Sequence, residues 1–252
     1  MFEKQRIFLF DLDGTVYRGQ RPIDGAAQVI QALRNAGRKC VFLSNNSTHS
    51  NDLLAEKLNK MGIPANIEDF ITPFHYAGRF IREQYGMCRV FTLGTEALAR
   101  EVEKSGHTLV GRSGPCDVVL VGRDLEIDYR KLETAGILLQ KGAKLVACNT
   151  DLTHPGEEGF DVPETGVFLA ALRCICPISY ESIGKPAAYL FSLVGTPENI
   201  VMIGDNPLTD IVGGRKANCK TILISSKNST DAADLVIDDI RKMMDYITIA
   251  KE

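Results

Sequence analysis

Short apolar segments alternate with helical patterns along most of this chain, and this alternation sharply limits the folds it can adopt. Apolar segments of strand length lie near residues 7–10, 39–43, 89–93, 117–121, 144–148, 200–203 and 221–224. Helical patterns lie near residues 24–35, 50–61, 74–85, 95–105, 129–140 and 166–175. Strands that alternate with helices typically form a parallel sheet covered by helices on both faces. The pattern therefore predicts an α/β fold with a Rossmann-like parallel sheet as its core.

The predicted strands are too many for one small sheet, which indicates two domains. The middle of the chain has its own alternation of strands and helices and is predicted to be inserted into the first domain. The expected boundaries are a discontinuous core of residues 1–80 and 180–252 and an α/β cap of residues 81–179. Segment 149–166 is predicted to be a polar loop, and loops of that length in compact domains are usually functional or mobile.

The first apolar segment ends at Asp11-Leu12-Asp13-Gly14-Thr15. Two acids one residue apart project to the same side of an extended chain, where their charges repel. Burying either acid is costly unless a cation or a proton compensates for its charge. The pattern thus favours a divalent metal or a proton shared between catalytic roles. A strand end followed by an ordinary Asp-Gly turn is the alternative that these residues leave open.

Further polar residues are expected at the same edge, because ligands bind beyond the carboxyl ends of parallel strands. The residues placed there or in adjacent loops are Asp11, Asp13, Ser44, Asn45, Lys185, Asp205 and Asp210. Carboxylates, an amine and a hydroxyl–amide pair suit a phosphate ester. A carboxylate can attack phosphorus once a magnesium ion, held by oxygen ligands, offsets their repulsion. Donors can bind the phosphoryl oxygens while a second acid protonates the leaving alkoxide.

The composition is that of an ordinary globular protein and argues against several other classes. The net charge of -3 provides no broad basic surface, so nucleic acid is not an expected partner. No apolar run is long enough to span a membrane, and charged residues near the N-terminus argue against a signal peptide. The seven cysteines include no CxxC pair. We therefore expect a cytoplasmic protein, monomeric or homodimeric, without disulfides or a zinc site.

Four motifs in order resemble those of the haloacid dehalogenase-like phosphatases. They are Phe10-Asp11-Leu12-Asp13-Gly14-Thr15, Leu43-Ser44-Asn45-Asn46-Ser47, Gly184-Lys185-Pro186 and Ile203-Gly204-Asp205-Asn206-Pro207-Leu208-Thr209-Asp210. Asn45-Asn46-Ser47, Val121-Gly122 and Asn149-Thr150-Asp151 also look like the NagD / p-nitrophenyl phosphatase branch. That branch carries an α/β cap between its second and third motifs. The resemblance covers nearly the full length of the chain.

The resemblance implies a magnesium-dependent phosphatase that hydrolyses a small phosphomonoester, of the nucleotide or sugar phosphate class, through an aspartyl-phosphate. Asp11 would be the nucleophile, and Asp13 the general acid and then the base for the hydrolytic water. The remaining roles would be phosphate binding by Ser44, Asn45 and Lys185, metal binding by Asp11, the Asp13 backbone carbonyl and Asp205, a place beside the metal or phosphate for Asn206, and support by Thr15 and Asp210.

The cap is expected to select substrates through contacts with the leaving group, because the core motifs bind only the phosphate. Segment 149–166 is predicted to face the active site, with Asn149, Asp151 and Glu164 nearest the leaving group. A solvent-exposed loop whose acids keep the cap soluble is the alternative. Relatives of this branch often have proline where this chain has Thr150, so the shape of the loop and the substrate stay open.

Other functions on the same fold also stay open. A phosphomutase would return the phosphoryl group to substrate, and a regulatory protein would bind a phosphate ester without turnover. A dehalogenase has no need of an acid at Asp13. Among residues outside the motifs, His154 is the histidine most readily placed near a substrate, although a structural role is the simpler interpretation. Tyr17 and Arg18 are expected to lie in a solvated loop unless they border the pocket.

Overall fold

The computed structural model describes residues 2, 4–155, 160–226 and 233–246 of the chain. Its strands are β1 Ile7–Phe10, β2 Tyr17–Arg18, β3 Arg21–Pro22, β4 Lys39–Leu43, β5 Phe70–Ile71, β6 Arg89–Leu93, β7 Thr108–Leu109, β8 Val118–Val121, β9 Lys144–Ala147, β10 Thr153–Pro155, β11 Asp161–Pro163, β12 Tyr180–Ser182, β13 Ile200–Gly204, β14 Lys220–Ile224 and β15 Leu235–Ile237. Its α-helices are α1 Ala26–Asn35, α2 Asn51–Lys60, α3 Pro73–Tyr85, α4 Glu96–Lys104, α5 Tyr129–Gln140, α6 Thr165–Ile175, α7 Tyr189–Ser192 and α8 Val212–Lys216.

A six-stranded parallel sheet in the order β15-β14-β13-β1-β4-β5 forms the centre of the first compact unit. Strand β1 lies between β13 and β4, with Phe10 in register with both Ile203 and Phe42. Because the strands are parallel and in register, the residues that follow β1, β4 and β13 meet at one edge of the sheet. That edge carries Asp11, Ser44 and Asp205.

Helix α1 shows how the sequence builds the core of this unit. Its buried residues Ala26, Val29, Ile30 and Leu33 recur at the spacing of one helical face. They belong to one apolar cluster with Phe10 of β1 and other sheet residues. Full burial of a valine, isoleucine or leucine side chain contributes about 1.5–3 kcal/mol to folding.

The second unit contains a separate five-stranded parallel sheet in the order β12-β9-β8-β6-β7. All four residues of its central strand β8 are buried, as expected for a strand covered on both faces. Leu138 of α5 and Leu172 of α6 pack with Val119 and Leu145 of the sheet in a second apolar cluster. The prediction of an α/β fold with parallel sheets is confirmed.

The two units do not divide at the expected boundaries. The first comprises Met1–Ser44, Asn51–Ile71 and Lys185–Glu252, and the second comprises Asn45–Ser50 and Thr72–Gly184. Residues 72–80 belong to the second unit because α3 is one continuous helix that packs on α4. Residues 180–184 belong there because β12 pairs with β9, with Tyr180 opposite Leu145.

Segment 149–166 is not the continuous loop that the sequence predicted. It contains the antiparallel hairpin β10–β11, in which His154 pairs with Val162, and α6 already begins at Thr165. The two- and three-residue strands β2, β3, β5, β7, β12 and β15 were not predicted either. In the part of the chain that the structure describes, no helix has the length and apolar character that crossing a bilayer requires.

Candidate active site

The turn after β1 is held by one carbonyl oxygen. Leu12 O accepts hydrogen bonds from the backbone N–H groups of Thr15, Val16 and Tyr17, at 3.3, 2.8 and 3.1 Å. Gly14 N donates back to Tyr17 O at 2.8 Å. Gly14 has φ 93°, and a Cβ at this position would lie 2.2 Å from Asp205 Oδ2. The chain therefore requires glycine here, both for the positive φ and for the close approach to Asp205.

Three carboxylates converge beside this turn. Asp11, Asp205 and Asp210 each offer an oxygen, and these oxygens all lie within 4.8 Å of one another. Lys185 lies among them, with its Nζ donating to Asp11 Oδ1 at 2.6 Å and to Asp210 Oδ1 at 2.7 Å. Lys185 is only 2% exposed and Asp210 is fully buried. The third and fourth motifs thus contribute to one cluster with the first, and the pairing of β1 with β13 accounts for the proximity of Asp11 and Asp205.

We refer to Asp11, Asp205, Asp210 and Lys185 as the acidic cluster. Its side chains carry an excess of negative charge. Burial raises the pKa of Asp11 well above its usual value; Lys185 opposes that shift, and Asp210 and Asp205 add to it. Burial and the charge of Asp210 raise the pKa of Asp205 to about 6. Burial alone would lower the pKa of Lys185, but the carboxylates of Asp11 and Asp210 raise it, so the amine is charged. One ammonium facing three carboxylates leaves two negative charges uncompensated when all three are ionised.

This arrangement fits a divalent cation. Carboxylate oxygens are the ligands that Mg²⁺ prefers, and a charge of +2 would balance the excess in the acidic cluster. Lys185 and the backbone N–H of Asn206, which donates to Asp210 Oδ2 at 3.1 Å, already engage Asp210. Lys185 also engages Asp11, through Oδ1 alone, so Asp11 and Asp205 could hold the ion while Asp210 is engaged through both of its oxygens.

Thr15 and Asn206 both make side-chain contacts in or with the loop that carries Asp205. The Oγ1 of Thr15, predicted to support the site, donates to Asp205 Oδ1 at 3.4 Å. Asn206, predicted to lie beside the metal or phosphate, accepts from Leu208 N at 2.9 Å through its Oδ1 and caps the helical turn Pro207–Ile211. Both contacts stabilise the loop that carries Asp205.

Asp13 and Ser44 lie at the same edge with different surroundings. The carboxylate of Asp13 is exposed and accepts a hydrogen bond from the Tyr17 hydroxyl, at 3.2 Å from Oδ2. It is not part of the acidic cluster, which leaves it able to meet a group arriving from solvent. Ser44 is 5% exposed and its backbone N–H donates to Ile71 O at 3.2 Å.

Other predicted residues form a polar network within the second unit. Asn45 Nδ2 donates to Asp151 Oδ2 at 2.8 Å, and Asn149 Nδ2 donates to the backbone oxygen of Asn45 at 2.8 Å. Asn149 is buried and also accepts from Asp151 N at 3.1 Å. The Asn45 amide nitrogen, expected to bind phosphate, thus has a carboxylate partner within its own unit.

Glu164 lies in a charged cluster that the sequence did not predict. Arg123 Nη1 contacts Glu164 Oε1 at 2.9 Å, and His154 Nδ1 lies 3.2 Å from the same oxygen. Arg123 lies two residues after Val121, the last residue of β8, so its position near the end of a predicted strand was the available signal. Without a motif around it, Arg123 could not be distinguished from an ordinary surface residue.

Comparison with known families gives two matches along the chain. The model of the haloacid dehalogenase-like hydrolases matches residues 8–108, and a further model of hydrolases of this kind matches residues 162–243. The first match includes the Asp11 turn and Ser44. The second includes Lys185 and the loop from Asp205 to Asp210.

Individual relatives match over almost the whole chain. An acid sugar phosphatase of Staphylococcus saprophyticus is 33% identical over 230 residues, which is 89% of this chain and 88% of that protein. The 5'-nucleotidase YutF of Bacillus subtilis is 30% identical over 93% of this chain and 92% of its own length. The crystal structure of a putative p-nitrophenyl phosphatase from Bacillus subtilis superimposes with a TM-score of 0.87 at 28% identity and covers 98% of both chains.

Proposed function

The chain belongs to the haloacid dehalogenase-like hydrolases, and from this premise we propose that it hydrolyses a small phosphomonoester through an aspartyl-phosphate formed on Asp11. It is a phosphoric monoester hydrolase, the reaction class named for its relatives. The observation that carries the mechanism is the acidic cluster, in which a charged lysine lies 2.6 Å from Asp11 Oδ1.

In the first step, a carboxylate oxygen of Asp11 attacks phosphorus. The bond between phosphorus and the ester oxygen breaks, and its electron pair goes to the leaving oxygen. Asp13 gives that oxygen a proton, so the alcohol leaves neutral. The buried ammonium of Lys185 holds the Asp11 carboxylate and offers charge to the phosphoryl oxygens, with Ser44 as a further donor.

In the second step, a water molecule gives a proton to Asp13 and attacks phosphorus. The bond between phosphorus and the Asp11 oxygen breaks, which releases phosphate and restores the carboxylate. Asp13 suits both steps because its carboxyl group is exposed and separate from the acidic cluster. The same group can therefore exchange protons with the leaving group and then with water.

Magnesium is the proposed cofactor, held by Asp11, Asp205 and the backbone carbonyl of Asp13. When bound, Mg²⁺ would offset the charge of the phosphate and of the carboxylates and polarise the phosphoryl oxygens. Support comes from the two uncompensated negative charges of the acidic cluster and from the raised pKa of Asp205. Lys185 keeps Asp210 in place beside these ligands.

The proposed substrates are sugar phosphates and nucleotides. This class comes from the names of the relatives, an acid sugar phosphatase and a 5'-nucleotidase. We also propose a cytoplasmic location, because all seven cysteines carry free thiols.

The test is turnover of p-nitrophenyl phosphate with magnesium by the wild type and by Asp11→Asn. An amide is a poor nucleophile and a poor metal ligand, so the variant should lose activity by at least about a thousandfold while it stays folded. Asp52→Asn, an exposed acid on α2, serves as the matched control and should keep full activity. Residual Asp11→Asn activity within tenfold of wild type would contradict the assignment.

A further inference from the structure

Tyr17 is linked to the proposed acid Asp13 from two directions. Its hydroxyl donates to Asp13 Oδ2 at 3.2 Å, while the residue itself is only 2% exposed. Through the backbone, Tyr17 N bonds to Leu12 O, and Tyr17 O accepts from Gly14 N. Residues 13 and 17 also form an isolated β-bridge. The buried Tyr17 side chain therefore holds its hydroxyl in place beside the exposed carboxyl group of Asp13.

Lys57 of helix α2 adds a second constraint on the same ring. Its Nζ lies 3.7 Å from the centroid of the Tyr17 ring, within the range of a cation–π interaction. Such contacts contribute about 0.5–2 kcal/mol, depending on desolvation. The side of the ring facing Lys57 is thereby covered by a cation, and the remainder packs in the apolar cluster of the first unit. A cation over the ring also favours donation by the hydroxyl, because it draws electron density away from the oxygen.

We propose that Tyr17 is a positioning residue that orients the carboxyl group of Asp13 for proton transfer to the leaving oxygen, and that Lys57 supports it. The proposal rests on the proposed function. With the Tyr17 proton directed at Oδ2, the other oxygen of Asp13 is the one that carries and delivers a proton. The hydrogen bond also restricts a side chain that is exposed and would otherwise sample several rotamers.

The consequence is a dependence on the leaving group. When the ester bond breaks, an alkoxide leaving group is a strong base and must take the proton from Asp13 as the bond cleaves. The p-nitrophenolate anion is a weak base and can leave without that proton. Loss of the Tyr17 hydroxyl should therefore slow the cleavage of alkyl phosphates and spare that of p-nitrophenyl phosphate.

The experiment compares kcat/KM of wild type and Tyr17→Phe on a series of aryl and alkyl phosphates of decreasing leaving-group acidity. This ratio reports the steps up to departure of the leaving group, so slow hydrolysis of the aspartyl-phosphate does not affect it. Tyr17→Phe keeps the ring and its contact with Lys57. Removing a general acid entirely typically costs about 10²–10⁴-fold, and Tyr17 only orients one, so we expect a loss of about tenfold or more on sugar phosphates and less than about twofold on p-nitrophenyl phosphate.

Two further variants keep the test decisive. Lys57→Met keeps the hydroxyl and removes the cation, and should give a smaller loss with the same leaving-group dependence. Tyr85→Phe removes a hydroxyl that bonds to Glu181 within the second unit and should show no such dependence. The unfolding free energy of each variant is measured alongside. If Tyr17→Phe does not fold, the dependence of kcat/KM on the leaving group in Lys57→Met decides the test.

An equal loss on every ester, or no loss on any, would overturn the positioning role. Either result leaves the proposed function intact as long as wild type turns over and Asp11→Asn does not. Activity retained by Asp11→Asn would instead refute the proposed function. The two failures are therefore distinguishable.

Discussion

Gly14 determines how closely the first turn approaches the acidic cluster. It combines φ 93° with a position where a Cβ would lie 2.2 Å from Asp205 Oδ2. Gly37, which follows α1, has φ 71° but nothing within 4 Å of its Cβ position. The pair therefore separates the effect of backbone conformation from the effect of close approach.

We expect Gly37→Ala to cost about 1 kcal/mol of stability and to leave kcat/KM unchanged, because only the backbone strain applies. Gly14→Ala should cost more than this and reduce kcat/KM at least about tenfold, since the methyl group must displace Asp205. Denaturant unfolding and turnover of p-nitrophenyl phosphate measure the two effects. Equal behaviour of both variants would show that the approach to Asp205 is not required.

Asp205 makes the stability of the metal-free protein depend on pH. Its pKa of about 6 in the folded state exceeds the usual 3.8. Below about pH 4 both states hold the proton and the group costs no stability. As pH rises through 4 to 6, the unfolded state releases the proton first, so stability falls by up to about 3 kcal/mol.

Asp205→Asn should remove this decrease and be more stable than wild type above pH 6 in the presence of a chelator. Added Mg²⁺ should then stabilise wild type and not the variant. Asp234 serves as a control, because its pKa is shifted in the opposite direction to that of Asp205. Burial alone would raise its pKa, but hydrogen bonds from Lys220 and Thr221 lower it, so Asp234→Asn should destabilise at neutral pH. Equal magnesium stabilisation of Asp205→Asn and wild type would contradict the proposed ligand.

How far sequence predicts the site depends on whether a side chain follows a strand. Asp11 and Asp205 directly follow β1 and β13 and meet in one cluster, as expected from a parallel sheet, and Lys185 and Asp210 reach the same cluster from a loop and a helical turn. The roles assigned to them stay predictions. Sequence did not place the Asn45 amide, because its partner Asp151 is more than a hundred residues away.

At the scale of elements, long helices were predicted within one or two residues and short strands were missed. Helix α5 begins after Asp128, whose side chain accepts from Lys131 N, and this cap marks its start in the sequence. Strands β5 and β12 have only two and three residues. Segments this short carry no recognisable alternation, so pairing with a neighbouring strand defines them.

The segment that includes hairpin β10–β11 is where we expect substrate selectivity. Asp151→Ala should alter the ranking of phosphate esters by about tenfold or more, roughly 1.4 kcal/mol, and change p-nitrophenyl phosphate turnover much less. Asp161→Ala, an exposed acid on β11, is the matched control and should leave the ranking unchanged. A uniform loss on all esters would mean that Asp151 only secures Asn45.

At the scale of the whole molecule, the chain divides into two units with separate apolar cores. The Asp11, Asp205 and Asp210 carboxylates all belong to the first unit. Sequence predicted two units from the number of strands but misplaced their limits, because α3 and β12 are assigned by their packing partners. Such long-range packing is not visible in a local pattern.

Leu172→Ala tests the independence of the second core. Leu172 is fully buried there, so the variant should lose about 2–5 kcal/mol in denaturant unfolding. Well below its melting temperature it should keep kcat/KM on p-nitrophenyl phosphate within about twofold, since the acids proposed to do the chemistry lie in the other unit. Leu125→Ala, an exposed residue of the same unit, should change stability by less than about 0.5 kcal/mol. A tenfold loss of kcat/KM in Leu172→Ala would disprove this separation.

The enclosure of Lys185 also gives the protein a built-in spectroscopic reporter. An ammonium group that is 2% exposed and held by two carboxylates should exchange its protons with water more slowly than the ammonium groups of surface lysines. In protein labelled with nitrogen-15 on lysine, Nζ of Lys185 should give a resolved proton–nitrogen resonance. If phosphate binds Lys185 as proposed, it would share the protons of this ammonium, and the resonance should follow ligand occupancy without any turnover.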